Sequence, residues 1–434
     1  MRSSTRVPIA VASLAVASLA VAACSSGGGT PDTDASGGAD DVELRMTIWS
    51  ANPDHVAAFQ ELGDEFAEQN DRVASVTIES FNLADLDTLV TTQISAGDAP
   101  DVSWLPVESS AEYIESGALV DLRETIDNTE GFDFDDFIPS LLERWEVDDA
   151  VYGIPFSTGP LIMYYNKDLY AQAGVKDPGQ LIADGDWTWD TFRETSKQLT
   201  DTLGVPGYAL NDFDFKNWTR LLPLLNAYDA SPWNEDATEC TLDNTEAVDA
   251  LSVFHGMTFD DGSMPVPGQQ VDFWGGGAAA TSAFLGSAAN LSEVDFNWGI
   301  APTPAGPAGD VVATGQASIV AFAAGNHTKE ASELVAFLGS KDAMAKYSGF
   351  FPPIRESVLT PEVLTQNSDV LTPEAVEPII EGIKDNGKVF PVTESNAAVT
   401  DALNSSLDEA FYQPGVDVKQ ALSSVCETVG PLLP

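Results

Sequence analysis

Polar and apolar residues alternate from Glu43 to Trp49 in a stretch rich in strand formers, and the pattern stops at Ser50-Ala51-Asn52 before Pro53. Proline at a first helical position after asparagine predicts a helix start. Val56, Phe59, Leu62 and Phe66 then recur at helical spacing, giving one apolar face to lay on a sheet. Val73 to Phe81 predicts a second strand. After Asn82, the residues Leu86, Leu89, Val90 and Ile94 predict a second helix that stops at Gly97, and Val102 to Leu105 predicts a third strand. Strand, helix, strand, helix, strand implies right-handed crossovers and a largely parallel sheet. Ligands of such sheets sit beyond the carboxyl ends of the strands, which points at Ser50 to Asn52, Phe81 and Asn82, and Trp104 to Glu108.

Further along, Val151 to Pro155 and Leu161 to Tyr165 predict strands, and Asp190 to Leu199 and Asn244 to Phe254 predict helices. Val312 to Ala323 reads as one apolar strand region, and Lys329 to Leu338 as a helix stopped by Gly339. The proline- and glycine-rich stretch Pro302 to Asp310 predicts a surface loop. No internal repeat is present. At the amino end, Arg2 and Arg6 precede an uncharged apolar run from Val7 to Ala23, the pattern of a secretory signal peptide. Ser25 to Asp41 carries no apolar periodicity and predicts a disordered tether over 24–41.

Charge narrows the functions. Of 434 residues, 68 are Asp or Glu and 19 are Lys or Arg, a net charge of −49, which excludes nucleic acid as a partner because binding it requires cations that displace phosphate counterions. The hydrophobic share of 44% is enough for packed interiors, and the length suits two lobes rather than one core. Beyond Cys24 only Cys240 and Cys426 remain, an even count that allows one disulfide outside the cell. Neither a metal site nor a cofactor is expected, since there is no Cys/His cluster and no phosphate loop. His55, His255 and His327 are isolated, and the acidic run Asp133 to Asp136 lacks the spacing and glycine of a calcium loop, so it reads as a solvated face.

Several motifs together carry a family resemblance. Val21-Ala22-Ala23-Cys24 resembles a bacterial lipobox, which implies a lipid on Cys24 and attachment to the outer face of the membrane through that lipid alone. Ser95-Ala96-Gly97-Asp98-Ala99-Pro100-Asp101-Val102, Ser116-Gly117-Ala118-Leu119-Val120-Asp121-Leu122, Tyr152-Gly153-Ile154-Pro155, Tyr165-Asn166-Lys167-Asp168-Leu169-Tyr170 and Thr188-Trp189-Asp190-Thr191-Phe192 follow in order. From about residue 42 onward the chain resembles the extracellular solute-binding proteins of ABC importers, in their maltose-binding-protein-like carbohydrate-uptake class. Two departures stand out. Asp148-Asp149-Ala150 replaces a usual glycine turn, and Ala280 stands where the class commonly has methionine.

The resemblance implies an α/β, periplasmic-binding-protein-like fold of two lobes joined by crossover hinge strands, with ligand in the cleft between them. The first lobe takes 42–160 and 322–390, the second 161–321 and 391–434, so both late cysteines fall in the second lobe, where they can meet. The implied function is capture of a sugar or oligosaccharide by a monomer and its delivery to an ABC permease, with no catalysis.

A sugar site needs carboxylates or amides for paired hydrogen bonds and flat rings for its CH faces. Trp104 and Glu108 are the leading first-lobe candidates, with Asn52 and Asn82 alternating between helix cap and ligand contact. Thr158 and Gly159 fall at the first crossover implied by the resemblance, and Gln316 at the second. Asp212, Asp214 and Trp218 combine carboxylates with a ring, and Phe284 aligns beside a sugar-stacking position of the class. Trp187, Trp189 and Trp298 read as packing residues. Two other readings stay open at this level: a secreted glycosidase using a carboxylate pair, and a binder of cationic solutes such as polyamines.

Overall fold

The structure, a computed structural model, describes residues 42–50, 52–210, 217–366, 368–393 and 396–434. Strands β1 (Val42–Ile48), β2 (Val73–Ser80) and β3 (Val102–Pro106) run parallel with β1 in the middle. Helix α1 (Pro53–Gln69) joins β1 to β2, and α2 (Leu83–Ala96) joins β2 to β3. Helix α1 buries Phe59, Leu62 and Phe66, three of the four apolar positions of its predicted face. Gly63 lies where a Cβ would meet Val76 Cβ at 2.9 Å, so the missing side chain lets helix and strand approach. Gly97 ends α2 at φ 73°, the left-handed conformation that favours glycine.

A tight hairpin follows, β4 (Glu146–Val147) with β5 (Ala150–Val151), and Asp148 turns it at φ 54°. Aspartate tolerates that region, which is how the chain turns here without the family's glycine. β6 (Ile154–Ser157) belongs to the first sheet, whereas β7 (Leu161–Asn166), β8 (Ala209–Leu210), β9 (Ala280–Phe284) and β10 (Trp298–Ala301) form a second. β11 (Val312–Thr314) and β13 (Gly387–Val389) pair with each other, and β12 (Ala317–Ala321) returns to the first sheet. The first sheet therefore has the order β2-β1-β3-β12-β6, with only β12 running against the rest, and the second has the order β10-β7-β9-β8.

Several segments differ from their sequence reading. Val312 to Ala323 is not one strand: it breaks at Gly315-Gln316, and its halves belong to different sheets. Continuous apolarity carries no mark of such a change. β12 also lies on the first-sheet side of the chain although it precedes residue 322, where the family likeness begins that lobe's second part. Pro302 to Asp310 is exposed at Pro307, Ala308 and Asp310, as a surface loop should be, but its first half is packed. Thr303 and Pro304 are buried, Ala305 exchanges backbone hydrogen bonds with Trp187 and Trp189, and a Cβ on Gly306 would meet the Ala227 carbonyl at 2.3 Å. Proline and glycine mark turns but say nothing of what covers them.

The acidic run is also more than a solvated face. Arg355 is fully buried between the rings of Phe132 and Phe137, 4.8 and 4.0 Å from its guanidinium carbon. It donates to the carbonyls of Phe132, Asp133 and Gly339 and to the Asp136 carboxylate. A buried cation needs such partners, and the one that supplies charge is far away in sequence. In the second lobe, Cys240 and Cys426 are disulfide-bonded, tying the segment before helix Thr245–His255 to helix Val418–Val429.

Candidate functional site

Two short segments touch: Thr158–Pro160 carries the chain from the first sheet to the second, and Gly315–Gln316 carries it from the β11–β13 pair to β12 of the first sheet. The Gly315 amide donates to the Gly159 carbonyl at 3.1 Å, Pro160 bridges Thr314, and Phe390, just after β13, donates to the Thr314 carbonyl at 3.1 Å. Gly159 has φ 44°, and a Cβ there would sit 2.7 Å from the Gly315 carbonyl. Phe284, at the end of β9, is half-buried beside this junction, 6.3 Å from the Phe390 ring, with the Arg220 guanidinium 4.6 Å above its centroid.

On the first sheet, the carboxyl ends of β1 and β2 are tied together. The Ser50 amide donates to Ser80 Oγ at 3.3 Å, Ser80 Oγ donates to the Ser50 carbonyl at 2.5 Å, and the Phe81 amide to the Ile48 carbonyl at 3.0 Å. Asn52 caps α1, its side chain accepting the Asp54 amide at 2.9 Å, while Asn82 is exposed at the start of α2 and makes no side-chain cap. Glu108 is half-buried in the turn after β3. His55 stands in the first turn of α1 against Phe350 and Phe351, with ring centroids 4.9 and 4.6 Å away. Pro352, next in that run, accepts the Thr158 amide at 2.8 Å, so the strand-end ring cluster is bonded to the crossing.

Not every predicted contact lies on this surface. Trp104 is corrected to a core residue: it is 1% exposed and packed among Trp49, Phe59, Phe156 and Phe351, with centroids 4.7 to 5.4 Å away. The cause is topological, since β3 lies between β1 and β12 and α1 covers this part of the sheet. Trp218 is likewise buried, against Trp233, with its amide bonded to Asn404 Oδ1. Gln316 does sit at the second crossing, but its amide is spent internally, accepting from Trp145 Nε1 and donating to the Leu141 carbonyl. Thr158 and Gly159 are at the first crossing, with the Thr158 side chain fully buried. Asp212, Asp214 and Cys24 lie outside the described residues. Ser50 falls at a predicted strand end; His55, which reads as isolated in the sequence, is instead bonded to Ser50 and packed on Phe350 and Phe351, two rings the sequence does not single out.

An apolar void in the second lobe, lined by residues including Trp189, Tyr208, Leu224, Phe254 and Met257, measures about 10 Å³, room for about one water. That void is too small for a sugar. Among the described residues no group of acidic, histidine or cysteine side chains could hold a metal ion, and no helix is long and apolar enough to cross a membrane.

Two sheets linked by the Thr158–Pro160 crossing, with the β11–β13 pair beside it and polar groups and rings at the strand ends, are the architecture of a two-lobed solute-binding protein. The family profile described as bacterial extracellular solute-binding protein matches residues 52–345, and the chain belongs to that family. A Brucella abortus protein that carries the name putative binding protein is 27% identical over 396 residues, covering 87% of this chain and 90% of its own length. The arabinooligosaccharide-binding protein of Bacillus subtilis is 22% identical over 405 residues, 88% of this chain and 90% of its own. Among solved structures, an ABC substrate-binding protein of Listeria monocytogenes in complex with cycloalternan matches with a TM-score of 0.75 at 23% identity, covering 90% of this chain and 99% of that one. At that identity the likeness is one of fold.

Proposed function

We propose that this protein captures a neutral sugar or oligosaccharide between its lobes and delivers it, by lobe closure, to the membrane permease of an ABC importer. The observation that carries this reading is the junction where the Gly159 and Gly315 crossings meet, with Phe284 beside it and the β1, β2 and β3 strand ends on the first-lobe side. A relative named for arabinooligosaccharide and a fold neighbour solved in complex with cycloalternan support the solute class. The contacts assigned here are Asn52, Asn82, Glu108, Gly159 and Phe284, with Asp212 and Asp214 from the segment after β8; Thr158, fully buried, holds the crossing instead. A carboxylate such as Glu108 suits this role, because a hydrogen bond to a charged group contributes about 1.5 to 3 kcal/mol and can offset desolvation of a sugar hydroxyl.

The protein works as a monomer held outside the cell by a lipid on Cys24, a reading supported by the leader pattern and by the family's extracellular setting. Cys24→Ser should release it from membranes or leave it unprocessed. A thermal-shift screen over neutral saccharides tests the solute class, since ligand at about 100 times its dissociation constant stabilises by about 2.7 kcal/mol. Small-angle scattering tests closure: the radius of gyration should fall on saturation with a sugar that binds, because only a solute touching both lobes can favour the closed state. An unchanged radius would count against closure, and a screen in which polyamines stabilise and sugars do not would overturn the solute class.

A further inference from the structure

His55 stands at the first-lobe strand ends, and its surroundings are built. Ser50 Oγ lies 2.9 Å from His55 Nδ1 and accepts the Asn52 amide at 3.1 Å. The hydroxyl keeps its hydrogen and a second lone pair, so it holds Nδ1 whichever ring nitrogen carries the proton, and the opposite nitrogen, Nε2, points away from this bond. Ser50 is itself held from both sides by Ser80. Phe350 and Phe351 flank the ring, and the adjoining Pro352 is bonded to the crossing at Thr158. Among the described residues no protein group bonds Nε2, and that atom is not buried. A ring nitrogen whose opposite nitrogen is anchored is therefore presented at the strand ends.

We propose that His55 donates from Nε2 to an oxygen of the captured solute, and that capture requires its neutral form. The proposal rests on the saccharide reading given above. Its physical basis is desolvation: a neutral solute over Nε2 removes the ring's remaining water, which penalises the imidazolium and couples capture to loss of a proton at acidic pH. Burial already lowers the His55 pKa below the ordinary histidine value, against the opposing pull of Asp54 on the same helix. From the other elements packed around it, β1 and β2 present Ser50 and Ser80, and the segment after helix Lys341–Tyr347 presents Phe350 and Phe351, none of them charged.

The test uses calorimetric binding of maltotriose, arabinotriose and cycloalternan to the wild type and to His55→Gln, between about pH 7.5 and about pH 5. Wild-type affinity should fall on the acidic side, approaching at most about tenfold per pH unit, the limit for one proton. His55→Gln should bind more weakly at neutral pH and lose that slope. Equal affinities at neutral pH, or parallel pH profiles, would overturn the role of His55 while leaving the saccharide reading intact. Failure of every sugar to bind the wild type at any pH would overturn the saccharide reading and this contact with it. Nitrogen-15 histidine spectra of the unliganded protein give a second readout. They should show the Nε2–H tautomer, with Ser50→Ala raising the midpoint of the His55 titration, and an Nδ1–H tautomer would overturn the proposal.

Discussion

The Gly315 amide and the Gly159 carbonyl, 3.1 Å apart, join the two crossing segments. Because Gly159 combines φ 44° with a Cβ position 2.7 Å from the Gly315 carbonyl, any side chain there strains its own backbone and pushes the second crossing away. Gly159→Val should cost at least about 1 to 2 kcal/mol from the backbone conformation alone. Gly174→Ala is the control, since Gly174 has φ 70° but nothing within 4 Å of its would-be Cβ. In urea unfolding both variants should lose stability, and Gly159→Val should lose more. In small-angle scattering only Gly159→Val should alter the sugar-induced change in radius.

Trp104 makes a sharp distinction between packing and recognition. Its ring fills the space between α1, β3 and the Phe351 segment, so Trp104→Ala should destabilise by about 3 to 5 kcal/mol through the cavity it leaves. Affinity for a sugar, measured on the fraction that remains folded, should stay close to the wild-type value. A large loss of affinity with little loss of stability would instead place the ring on the binding surface.

The first half of the first lobe was legible because its signals are local. Asn52-Pro53 starts α1, Gly97 stops α2, and the helical spacing from Phe59 to Phe66 names the buried face. Side-chain direction at the strand ends was not local. Trp104 is at the right end of β3, but Phe351, which helps bury it, comes from a distant part of the chain. Gln316 is at the predicted crossing, and its amide is claimed by Trp145 and Leu141, again remote in sequence. His55 is a mixed case: Ser50 is only five residues away, so half of its environment was within reach of the sequence, whereas Phe350 and Phe351 were not.

Arg355 and Asp136 predict a specific acid sensitivity. Burial alone would raise the Asp136 pKa, but hydrogen bonds from Ser357 and the Arg355 guanidinium outweigh it and hold the carboxyl below its ordinary value. A carboxylate with a depressed folded pKa stabilises the fold fully above its unfolded value, about 3.9, and that contribution is lost as pH falls through the lower folded value. Asp136→Asn should therefore be less stable than wild type at neutral pH, with the gap narrowing below about pH 4. Urea midpoints of both proteins across that range check the sign. Arg355→Met should cost about 3 to 5 kcal/mol, since it also strands the three carbonyls the guanidinium serves.

The Cys240–Cys426 bond closes a loop with a sequence separation of 186. Cross-linking positions so far apart restricts the unfolded chain, and the chain-entropy argument puts the upper bound of its stabilisation at about 5 kcal/mol. Its reach within the fold is local, however: it holds the segment around Trp233, which packs on Trp218 and donates to the Val392 carbonyl, against the last long helix. The Cys240→Ser, Cys426→Ser double variant should consequently unfold at lower urea concentration, and amides of the 230–242 segment should exchange hydrogen faster than those of β1 to β3. Sugar affinity should change little, because the strand ends of the first sheet and the Gly159–Gly315 junction make no contact with the bond. Free thiols in the wild-type protein by non-reducing peptide mapping, or exchange that accelerates equally in both sheets, would show that the bond does not hold the segment in this way.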